Sequence, residues 1–558
     1  MDKNYAPIGA PGVLCNESLR TGRFRRNTLP RAAPTMLASA HMSALKLESI
    51  ALRLRDSDDV VVLKRPLKAG AEFTLGDRTF TAARTIPAGH KLAVHELPTG
   101  APIRKYGQII GFAAAPIATG DHVHTHNVAL RDFARDYAFC ADARPLAPHP
   151  PSELRTFAGF ARPGGAVGTR NYVAIISTVN CSASVSNYVR DRFRTPEFQR
   201  DFPNVDGVIA FTHKSGCAYD PGEPQQVLRR VLAGLARHPN IGGYVMIGLG
   251  CEVNQLQEVR KQFALDALRP GDAAPIFLNI QSEGGTRKTV EAGVAAVARL
   301  LPQVNAHRRT PQPLSQIILA ENCGGSDGNS GITANPALGV ASDELVRCGG
   351  TSVLAETPEI YGAEHLLTRR AVTREVGEKL IELIHWWEAH ARLHNATIDN
   401  NPSFGNKEGG LTTIYEKSLG AVAKGGQAPL MAVYRYAEPI TAKGFCYMDT
   451  PGFDPVSMTG LIAGGCNVGV FTTGRGSVYG CKPSPCLKVA TNTPLYERME
   501  EDMDINAGTI LEGKETVAEV GQRIFEKIVS VAGGEKTKSE LAGLGDEEFA
   551  PWILGPTF

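Results

Sequence analysis

Short apolar runs alternate with longer amphipathic segments from about residue 160 onward. The first four apolar runs are residues 173–177, 208–211, 244–247 and 276–280. Each run precedes a segment whose apolar positions recur every three or four residues, which is typical of a helix. We predict these helices over 183–194, over 224–238, and in segments that end near 268 and 301. Four successive strand–helix units indicate a parallel sheet that is covered on both faces.

A second series of the same kind begins near residue 317. Its apolar runs are residues 317–320, 353–355, 430–434 and 468–471, and a helical period covers 373–393. The first strand of each series ends in an Asn-Cys pair, Asn180-Cys181 and Asn322-Cys323, which is weak evidence for two related halves. The fold class that we predict is α/β, with a large body of two α/β domains at 159–310 and 311–558.

The first part of the chain follows a different pattern. Residues 44–142 hold short strands, and two of them, 72–75 and 78–81, flank the hairpin signal Gly76-Asp77. We predict a small β domain there and a linker at 143–158, which contains four prolines. Residues 1–43 are rich in arginine, and we expect them to be poorly ordered. They resemble a transit peptide in composition, and a true start at Met36 or Met42 is an equal alternative.

Composition and charge narrow the class of protein. The 558 residues are 43% hydrophobic and 21% charged, with a formal net charge of +2. This composition is typical of a globular protein and offers no electrostatic reason to bind nucleic acid or a membrane. No apolar run approaches the roughly 18 residues of a membrane span. Eleven cysteines without a secretory signal indicate free thiols, so we expect a cytoplasmic location.

The densest chemical signal is a histidine run at residues 120–127. His122, His124 and His126 alternate with Val123 and Thr125. On an extended strand, alternate side chains point to the same side, so all three imidazoles would share one face. Imidazole is the commonest side-chain ligand of divalent transition metals. The run therefore predicts a metal or substrate site, and a solvated polar strand face is the alternative.

Polar residues gather where the predicted strands end, and ligands of open α/β sheets bind beyond the carboxyl ends of the strands. These residues include Asn180, Cys181, His213, Lys214, Cys217, Cys251, Glu252, Glu283, Arg287, Asn322, Cys323, Asp327, Glu356, Arg475 and Ser477. Arginines beside glycines, in 284–287 and 474–477, favour recognition of a carboxylate. Structural turns with surface arginines are the alternative, and each lone cysteine has the simpler interpretation of a small buried residue.

The sequence lacks the binding motifs of several classes of cofactor. The stretch Gly248-Leu249-Gly250 has no third glycine at the required spacing, and no phosphate-binding loop or nucleophile elbow is present, so no nucleotide cofactor is expected. No CxxC pair occurs, which argues against a structural zinc site. An iron–sulfur cluster assembled from Cys181, Cys217, Cys323 or Cys466 stays open, because its ligands can come from distant loops.

Nine stretches in order resemble the altronate/galactarate dehydratase family. They are 120–127, 168–172, 178–182, 213–217, 321–327, 355–359, 401–403, 406–413 and 474–477. The resemblance covers about residues 45 to 520. It implies a small N-terminal β-clip (SAF-type) domain on a larger α/β body. It also implies dehydration of a hexonate or hexarate to a 2-keto-3-deoxy acid with a divalent metal, commonly Fe²⁺, with Mn²⁺ or Mg²⁺ as alternatives.

Chemical reasoning assigns roles for this reaction. The metal would be bound or flanked by His122, His124, His126, Glu321 and Asp327. His213 or Lys214 would act as the base, with His124 as a further catalytic candidate. Substrate contacts are expected from Arg170, Asn180, Arg287, Arg475 and Ser477, whose arginines would grip carboxylates.

Two other functions stay open. A sulfo-lyase that acts on a hydroxy-sulfonate such as sulfolactate could use the same elimination chemistry. In some relatives of that kind the small and large parts are separate chains, whereas here they are fused, which favours the sugar-acid dehydratases. A non-catalytic sugar-acid binding protein would have the pocket without metal dependence. The expected partners are a small sugar acid and a second copy of the chain in a dimer.

Overall fold

We describe the protein from a computed structural model that covers residues 44–218, 221–267, 273–555 and 557–558. The expectation for residues 1–43 falls outside this described part. The structure is mixed α/β, with a small β domain at its N-terminus and two parallel sheets in a larger body, which confirms the predicted fold class. None of the helices in the described ranges has the length and apolar character that a membrane span requires.

The N-terminal domain consists of short strands in three small sheets. The strands are β1 (Leu45–Lys46), β2 (Ala51–Leu52), β3 (Val60–Leu63), β4 (Glu72–Leu75), β5 (Arg78–Thr81), β6 (Lys91–Ala93), β7 (Pro102–Lys105), β8 (Gln108–Ala113), β9 (His122–Val123) and β10 (Val128–Ala129), with helix α1 (Leu47–Ile50). β4 and β5 pair antiparallel around Gly76-Asp77, so the predicted hairpin is confirmed. β6 lies between β3 and β9, and this pairing positions the histidine run.

The second domain has one parallel sheet of four strands. Its strands are β13 (Tyr172–Ser177), β14 (Gly207–Phe211), β15 (Ile241–Gly248) and β16 (Ile276–Asn279), in the order β14-β13-β15-β16. The helices are α2 (Ala183–Asp191), α3 (Phe198–Asp201), α4 (Glu223–Arg237), α5 (Leu256–Gln262) and α6 (Thr286–Ala306). Every residue of β13 is buried, because helices cover both faces of the sheet. The four predicted strand–helix units are therefore confirmed.

Antiparallel strands flank this domain on both sides in the chain. They are β11 (Thr156–Ala161), β12 (Val167–Gly168) and β17 (Arg309–Pro313), in the order β12-β11-β17. β11 precedes the second domain in the chain and β17 follows it. Their pairing therefore brings the two ends of this domain together.

The third domain has a parallel sheet of seven strands. The strands are β18 (Ile318–Cys323), β19 (Thr351–Leu354), β20 (Leu430–Tyr434), β21 (Gly444–Met448), β22 (Val468–Thr473), β23 (Cys486–Ala490) and β24 (Ile505–Asn506), in the order β20-β21-β19-β18-β22-β23-β24. The helices are α7 (Ala334–Arg347), α8 (His365–Thr368), α9 (Arg374–Leu393), α10 (Phe404–Glu408), α11 (Ile414–Ala421), α12 (Asp454–Ala463), α13 (Thr493–Arg498), α14 (Val517–Ala532) and α15 (Lys538–Leu541). The long predicted helix over 373–393 is confirmed as α9.

Apolar clusters join the third domain to both of the others. One cluster contains Ile103 and Ile110 of the N-terminal domain together with Ile360 and Leu419 of the third. Another contains Phe211 and Leu232 of the second domain together with Met458 and Phe471 of the third. Because buried apolar contacts hold elements in fixed positions, the three domains present their polar residues at constant relative positions.

Candidate active site

Three imidazoles meet where two strands of the N-terminal domain pair. His122 begins β9, and His90 directly precedes β6, the strand that pairs with β9. His124 follows the end of β9. One ring nitrogen from each residue lies within 4.8 Å of the other two, and the ring centroids are 4.8 Å to 5.2 Å apart. We call His90, His122 and His124 the histidine group.

The histidine run is not one continuous strand, which corrects the expectation from its alternation. β9 ends at Val123, because Asn127 holds the following residues in a turn. The His124 N–H donates to Asn127 Oδ1 at 2.9 Å, and Asn127 Nδ2 donates to the His122 carbonyl at 3.0 Å. His126 is exposed in this turn. The third nitrogen of the group comes instead from His90, a residue that the pattern did not indicate.

The protonation of the histidine group suits a metal. His90 Nε2 lies 3.0 Å from the Glu408 carbonyl, which only accepts, so Nε2 carries the proton and Nδ1 keeps its lone pair. That Nδ1 lies 3.0 Å from His122 Nε2. Burial and the neighbouring histidines lower the pKa of His122 to about 3, and burial with Lys91 lowers the pKa of His124 to about 4. Neutral imidazoles are the form that binds metals.

Two nitrogens of the group lack partners. His122 Nδ1 and His124 Nδ1 are buried and make no hydrogen bond. A buried polar atom without a partner costs free energy, and a bound cation would remove part of this cost by ligation. The carbonyl–imidazole contact at Glu408 is also the type of support that orients metal-binding histidines in proteins. The residues present therefore fit a divalent transition metal.

A buried triad fastens this part of the N-terminal domain to the third domain. Glu416 on α11 accepts from Lys91 Nζ at 2.8 Å and from Lys105 Nζ at 3.0 Å, and all three side chains are at most 1% exposed. Lys91 also donates to the Gly410 carbonyl at 2.6 Å. Burial alone would raise the pKa of Glu416, but the two ammonium charges outweigh it and hold this pKa well below its ordinary value. We call these residues the lysine–glutamate triad.

A polar pocket of about 500 Å³ opens at the carboxyl ends of the strands of the third domain. Its wall consists of Gly324, Gly325, Glu359, Asn400, Asn401, Ser403, Asn406, Lys417, Gly452, Phe453, Asp454, Thr557 and Phe558. Gly324 directly follows β18, and a Cβ there would lie 2.3 Å from Asp454 Oδ2. Glycine is therefore required for the Asp454 carboxylate to approach the end of the strand.

Lysines and carboxylates pair closely at the base of this pocket. Lys417 Nζ lies 2.6 Å from Glu359 Oε1 and 2.7 Å from Asn401 Oδ1. Deeper in the protein, Lys424 Nζ lies 2.8 Å from the Cys323 sulfur and 3.2 Å from Glu356 Oε2. The thiol and the two carboxylates also form a group within 4.8 Å, but the ammonium of Lys424 lies among them. This positive charge disfavours a cation there.

Burial shifts the proton affinity of the pocket acids. Burial, together with the charge of Glu359, raises the pKa of Asp454 to about 7. The same two causes raise the pKa of Glu356 to about 8. Burial alone would lower the pKa of Lys417, but Glu359 and the other groups around it together hold this pKa above its ordinary value. The pocket therefore contains a charged ammonium beside a carboxyl group that can take up or release a proton near neutral pH.

One short segment connects the histidine group to the pocket. Asn406 lines the pocket and lies on α10, which begins with a capping box between Ser403 and Asn406. Two residues later, the Glu408 carbonyl contacts His90. Arg475 Nη2 lies 3.3 Å from the Glu408 carboxylate. Segment 403–410 therefore carries contacts to both sites, with the guanidinium of Arg475 beside it.

Comparison with known proteins places these residues in a family. Family models match three consecutive parts of the chain: the altronate/galactarate dehydratase SAF domain over 49–131, the D-galactarate dehydratase/altronate hydrolase second domain over 159–305, and the D-galactarate/altronate dehydratase C-terminal domain over 314–557. Galactarate dehydratase (L-threo-forming) of Escherichia coli (strain K12) is 38% identical over 503 residues, which are 89% of this chain and 95% of that protein. The chain belongs to the galactarate/altronate dehydratase family.

Other relatives show the breadth of this dehydratase family. Altronate dehydratase of Bacillus subtilis (strain 168) is 35% identical over 493 residues, covering 88% of this chain and 96% of that protein. The (2R)-sulfolactate sulfo-lyase subunit beta of Chromohalobacter salexigens is 29% identical over 398 residues, covering 71% of this chain and 96% of that subunit. The resemblance inferred from the sequence motifs is thus confirmed at the level of the family.

Two of the residues assigned to the chemistry, Arg170 and His213, have their polar groups hydrogen-bonded to other parts of the protein. Arg170 is 1% exposed and makes two bonds of 2.7 Å to Glu540, with further bonds to backbone carbonyls. His213 Nε2 lies 2.9 Å from the Ser177 carbonyl, and its Nδ1 accepts from the Ser215 N–H at 3.2 Å. Arg170 therefore ties the second domain to the third, and His213 joins two loops of the second domain. Neither side chain lines the pocket or belongs to the histidine group.

The two acidic residues assigned to the metal also have other surroundings. Glu321 lies inside β18, fully buried, and accepts from Ser352 at 2.6 Å. The Asp327 carboxylate follows β18 and accepts from Ser330, Asn329, Thr491 and Asn492. These donors occupy both oxygens of the Asp327 carboxylate. The structure does not bring either carboxylate into the histidine group.

The remaining predicted residues lie partly on the surface and partly near the candidate site. Lys214, Asn180 and Arg287 are exposed on the second domain, and Arg287 pairs with Glu291 at 2.7 Å. The Ser477 hydroxyl accepts from the Tyr479 N–H at 3.0 Å and so caps a turn. Arg475 alone among the predicted substrate contacts lies beside segment 403–410 in the described part of the chain.

Several residues of the site were missed, for two different reasons. His90 has no histidine neighbour in sequence and joins the group only through the pairing of β6 with β9. Lys417 and Lys424 are seven residues apart in a helical stretch, and this spacing places them on one side of the helix. Two lysines on an otherwise buried helix face were a usable signal, since lysine is rarely buried without a partner.

Proposed function

We propose that this protein is a metal-dependent hydro-lyase. It removes water from a sugar acid, such as altronate or galactarate, and yields a 2-keto-3-deoxy acid. The observation that carries the proposal is that two sites contact the same segment, 403–410. One is a histidine group with unpartnered nitrogens, and the other is a pocket lined by the Lys417 ammonium and by Asp454, whose pKa is about 7.

The histidine group would hold the metal, for which Fe²⁺ is favoured and Mn²⁺ or Mg²⁺ are alternatives. Imidazole ligands suit iron, whereas carboxylate, carbonyl and water oxygens suit magnesium and manganese. When bound, a divalent ion supplies positive charge where the dianionic enediolate develops. His90, His122 and His124 provide the nitrogens, and the Glu408 carbonyl orients His90.

The chain's own residues hold the substrate and move its protons. We assign Arg475, whose guanidinium is partly exposed beside Glu408, to the carboxylate of the sugar acid. Asp454 removes the proton next to that carboxylate, because its pKa of about 7 leaves it partly ionised at neutral pH. Asp454 then returns this proton to the β-hydroxyl, which leaves as water as its C–O bond breaks, and the resulting enol tautomerises to the ketone. Lys417 supplies an ammonium charge in the pocket while negative charge develops on the substrate.

The sulfo-lyase alternative shares the elimination step but releases sulfite instead of water. A sulfonate could use the same arginine and lysine, so the geometry alone does not separate the two reactions. The higher identity and coverage of the dehydratases favour the hydro-lyase. A non-catalytic binding protein would have no need of a proton-transfer group beside a metal site.

The test is a substrate panel with purified full-length protein. The protein is stripped with a chelator and reloaded without oxygen with Fe²⁺, Mn²⁺ or Mg²⁺. It is then incubated with altronate, galactarate, related aldonates and sulfolactate, and both 2-keto-3-deoxy acid and sulfite are measured. We expect keto acid from at least one sugar acid, loss of turnover after chelation and recovery on reloading. Sulfite as the main product, or binding of a sugar acid without any product, would contradict the proposal.

A further inference from the structure

Three cysteine thiols are exposed at the carboxyl edge of the sheet of the second domain. Cys181 follows β13, Cys217 follows β14 and Cys251 follows β15, and these strands are neighbours with β13 in the middle. Six other cysteines in the described ranges are buried, and Cys140 is half-buried. Packing accounts for a buried thiol, but it does not account for three exposed thiols at one edge of one sheet.

The loops of Cys181 and Cys217 are in direct contact. The Asn180 N–H donates to the Ser215 carbonyl at 2.9 Å. Gly216 has a φ of +101°, and a Cβ there would lie 2.4 Å from the Thr178 carbonyl oxygen. Only glycine fits so close an approach. Asn180, which precedes Cys181, therefore contacts the Cys217 loop, and Gly216, which precedes Cys217, contacts the Cys181 loop.

The loop of Cys251 is fixed to the same place. The Glu252 carboxylate accepts from the Thr178 hydroxyl at 2.9 Å and from the Gly250 N–H at 2.7 Å. Asn254, just beyond, donates its N–H to the Gly216 carbonyl at 3.0 Å. The Cys251 sulfur accepts a hydrogen bond from Gln281 Nε2 at 3.3 Å. A donor on the sulfur stabilises negative charge there, as it does around thiolate ligands.

We infer that Cys181, Cys217 and Cys251 form a site for an iron–sulfur cluster. Cysteine thiolates are the ligands that such clusters take. A single tetrahedral ion needs sulfurs about 4 Å apart, because metal–sulfur bonds are about 2.3 Å long. Among the described residues, these three thiols do not form a group within 4.8 Å. A cluster of several irons bridges a wider gap, and three thiolates leave one iron of a four-iron cluster open to a ligand from solution.

This set of three cysteines differs from the four candidate iron–sulfur ligands that the sequence suggested. Cys323 and Cys466 are buried in the third domain, at 1% and 0% exposure, whereas Cys251 completes the set with Cys181 and Cys217. Exposed Lys214, in the Cys217 loop, offers positive charge to an anionic cluster. The inference stands independently of the proposed dehydration, since the histidine group lies in a different domain.

The test measures iron and acid-labile sulfide together in the full-length protein. The protein is purified without oxygen and reconstituted with Fe²⁺ and sulfide, and bound iron, bound sulfide and visible absorption are recorded. We expect about four irons and four sulfides per chain at this site, the content of a cubane cluster. The variants Cys181→Ser, Cys217→Ser and Cys251→Ser each remove a direct ligand. Each is therefore expected to lower bound sulfide by at least about tenfold, the loss of metal affinity that changes around a metal's ligands already cause.

Two control variants make this result specific. Cys140→Ser removes a thiol outside the site, and His122→Ala removes a member of the histidine group. Both are expected to retain the sulfide, and circular dichroism checks that every variant is folded. Absence of sulfide from the wild-type protein, binding of Zn²⁺ without sulfide, or full sulfide retention in all three serine variants would overturn the inference.

Discussion

Burial acts in opposite directions on the acids and the bases of this protein. Glu321 is 0% exposed, and burial raises its pKa to about 8, so it holds its proton at neutral pH. Burial lowers the pKa of His122 to about 3 and that of His124 to about 4, so both imidazoles are neutral at neutral pH. Both outcomes remove charge from the interior. A protonated carboxyl group is a poor metal ligand, which is why Glu321 has no place in our proposed metal site.

The shifted pKa of Glu321 predicts a stability change with pH. Because the folded state holds this proton more tightly than the unfolded state, the contribution of Glu321 is fully present below pH 4.5 and is lost as pH rises toward about 8. Glu321→Gln copies the protonated form and should remove this loss. Relative to wild type, we expect the variant to gain at least about 1.4 kcal/mol between pH 5 and pH 8, the equivalent of one pKa unit.

Denaturant unfolding at several pH values measures this difference. The control is Glu291→Gln, which changes an exposed glutamate that pairs with Arg287 on the surface. Its unfolding curve should follow that of the wild type at every pH. Parallel curves for Glu321→Gln and wild type would show that Glu321 is ionised in the folded protein.

At the scale of elements, the lysine–glutamate triad links two strands to a helix. Lys91 begins β6 and Lys105 ends β7, while Glu416 lies on α11. His90 directly precedes Lys91, so the position of one metal-site nitrogen depends on this link. A buried ion pair adds little net stability, but removal of one partner is costly because the other charge stays buried.

Glu416→Gln is therefore predicted to loosen the N-terminal domain. The substitution leaves two buried ammonium groups without their counter-charge and should lower the free energy of unfolding by about 3–5 kcal/mol. Metal affinity should fall as well, because His90 loses its fixed position. Denaturant unfolding and metal titration check the two effects.

A surface pair provides the comparison for this change. Glu378→Gln breaks the exposed contact between Arg374 and Glu378 on α9 and should cost less than about 1 kcal/mol. Equal destabilisation by Glu416→Gln and Glu378→Gln would show that the triad does not hold the two domains together.

At the scale of the whole molecule, the site depends on contacts between domains. The N-terminal domain supplies the histidines, and the third domain supplies the pocket and segment 403–410. Alternation of apolar strands and amphipathic helices was enough to predict both parallel sheets, because burial on both faces leaves a continuous apolar run in each strand. The rule that ligands bind at carboxyl ends likewise pointed to the loop after β18, where the pocket lies.

The remainder of the site could not be predicted, because it depends on register and packing. His90 becomes a neighbour of His122 only when β6 pairs with β9. The turn made by Asn127 moves His126 out of the group, although alternation alone placed it on the same face. Arg170 looked available for a substrate until the fold placed Glu540, hundreds of residues later, against it. Such contacts leave no local signal.

The central claim is that His90, and not His126, completes the metal site with His122 and His124. The most direct measurement is the Fe²⁺ bound by chelator-stripped protein that is reloaded with Fe²⁺ in the absence of sulfide, so that no iron–sulfur cluster contributes. Turnover is a second readout, and His90→Ala and His126→Ala are made side by side. We predict that His90→Ala loses metal and turnover by about 10- to 100-fold or more, while His126→Ala keeps its metal. Retained iron in His90→Ala together with its loss in His126→Ala would contradict the account.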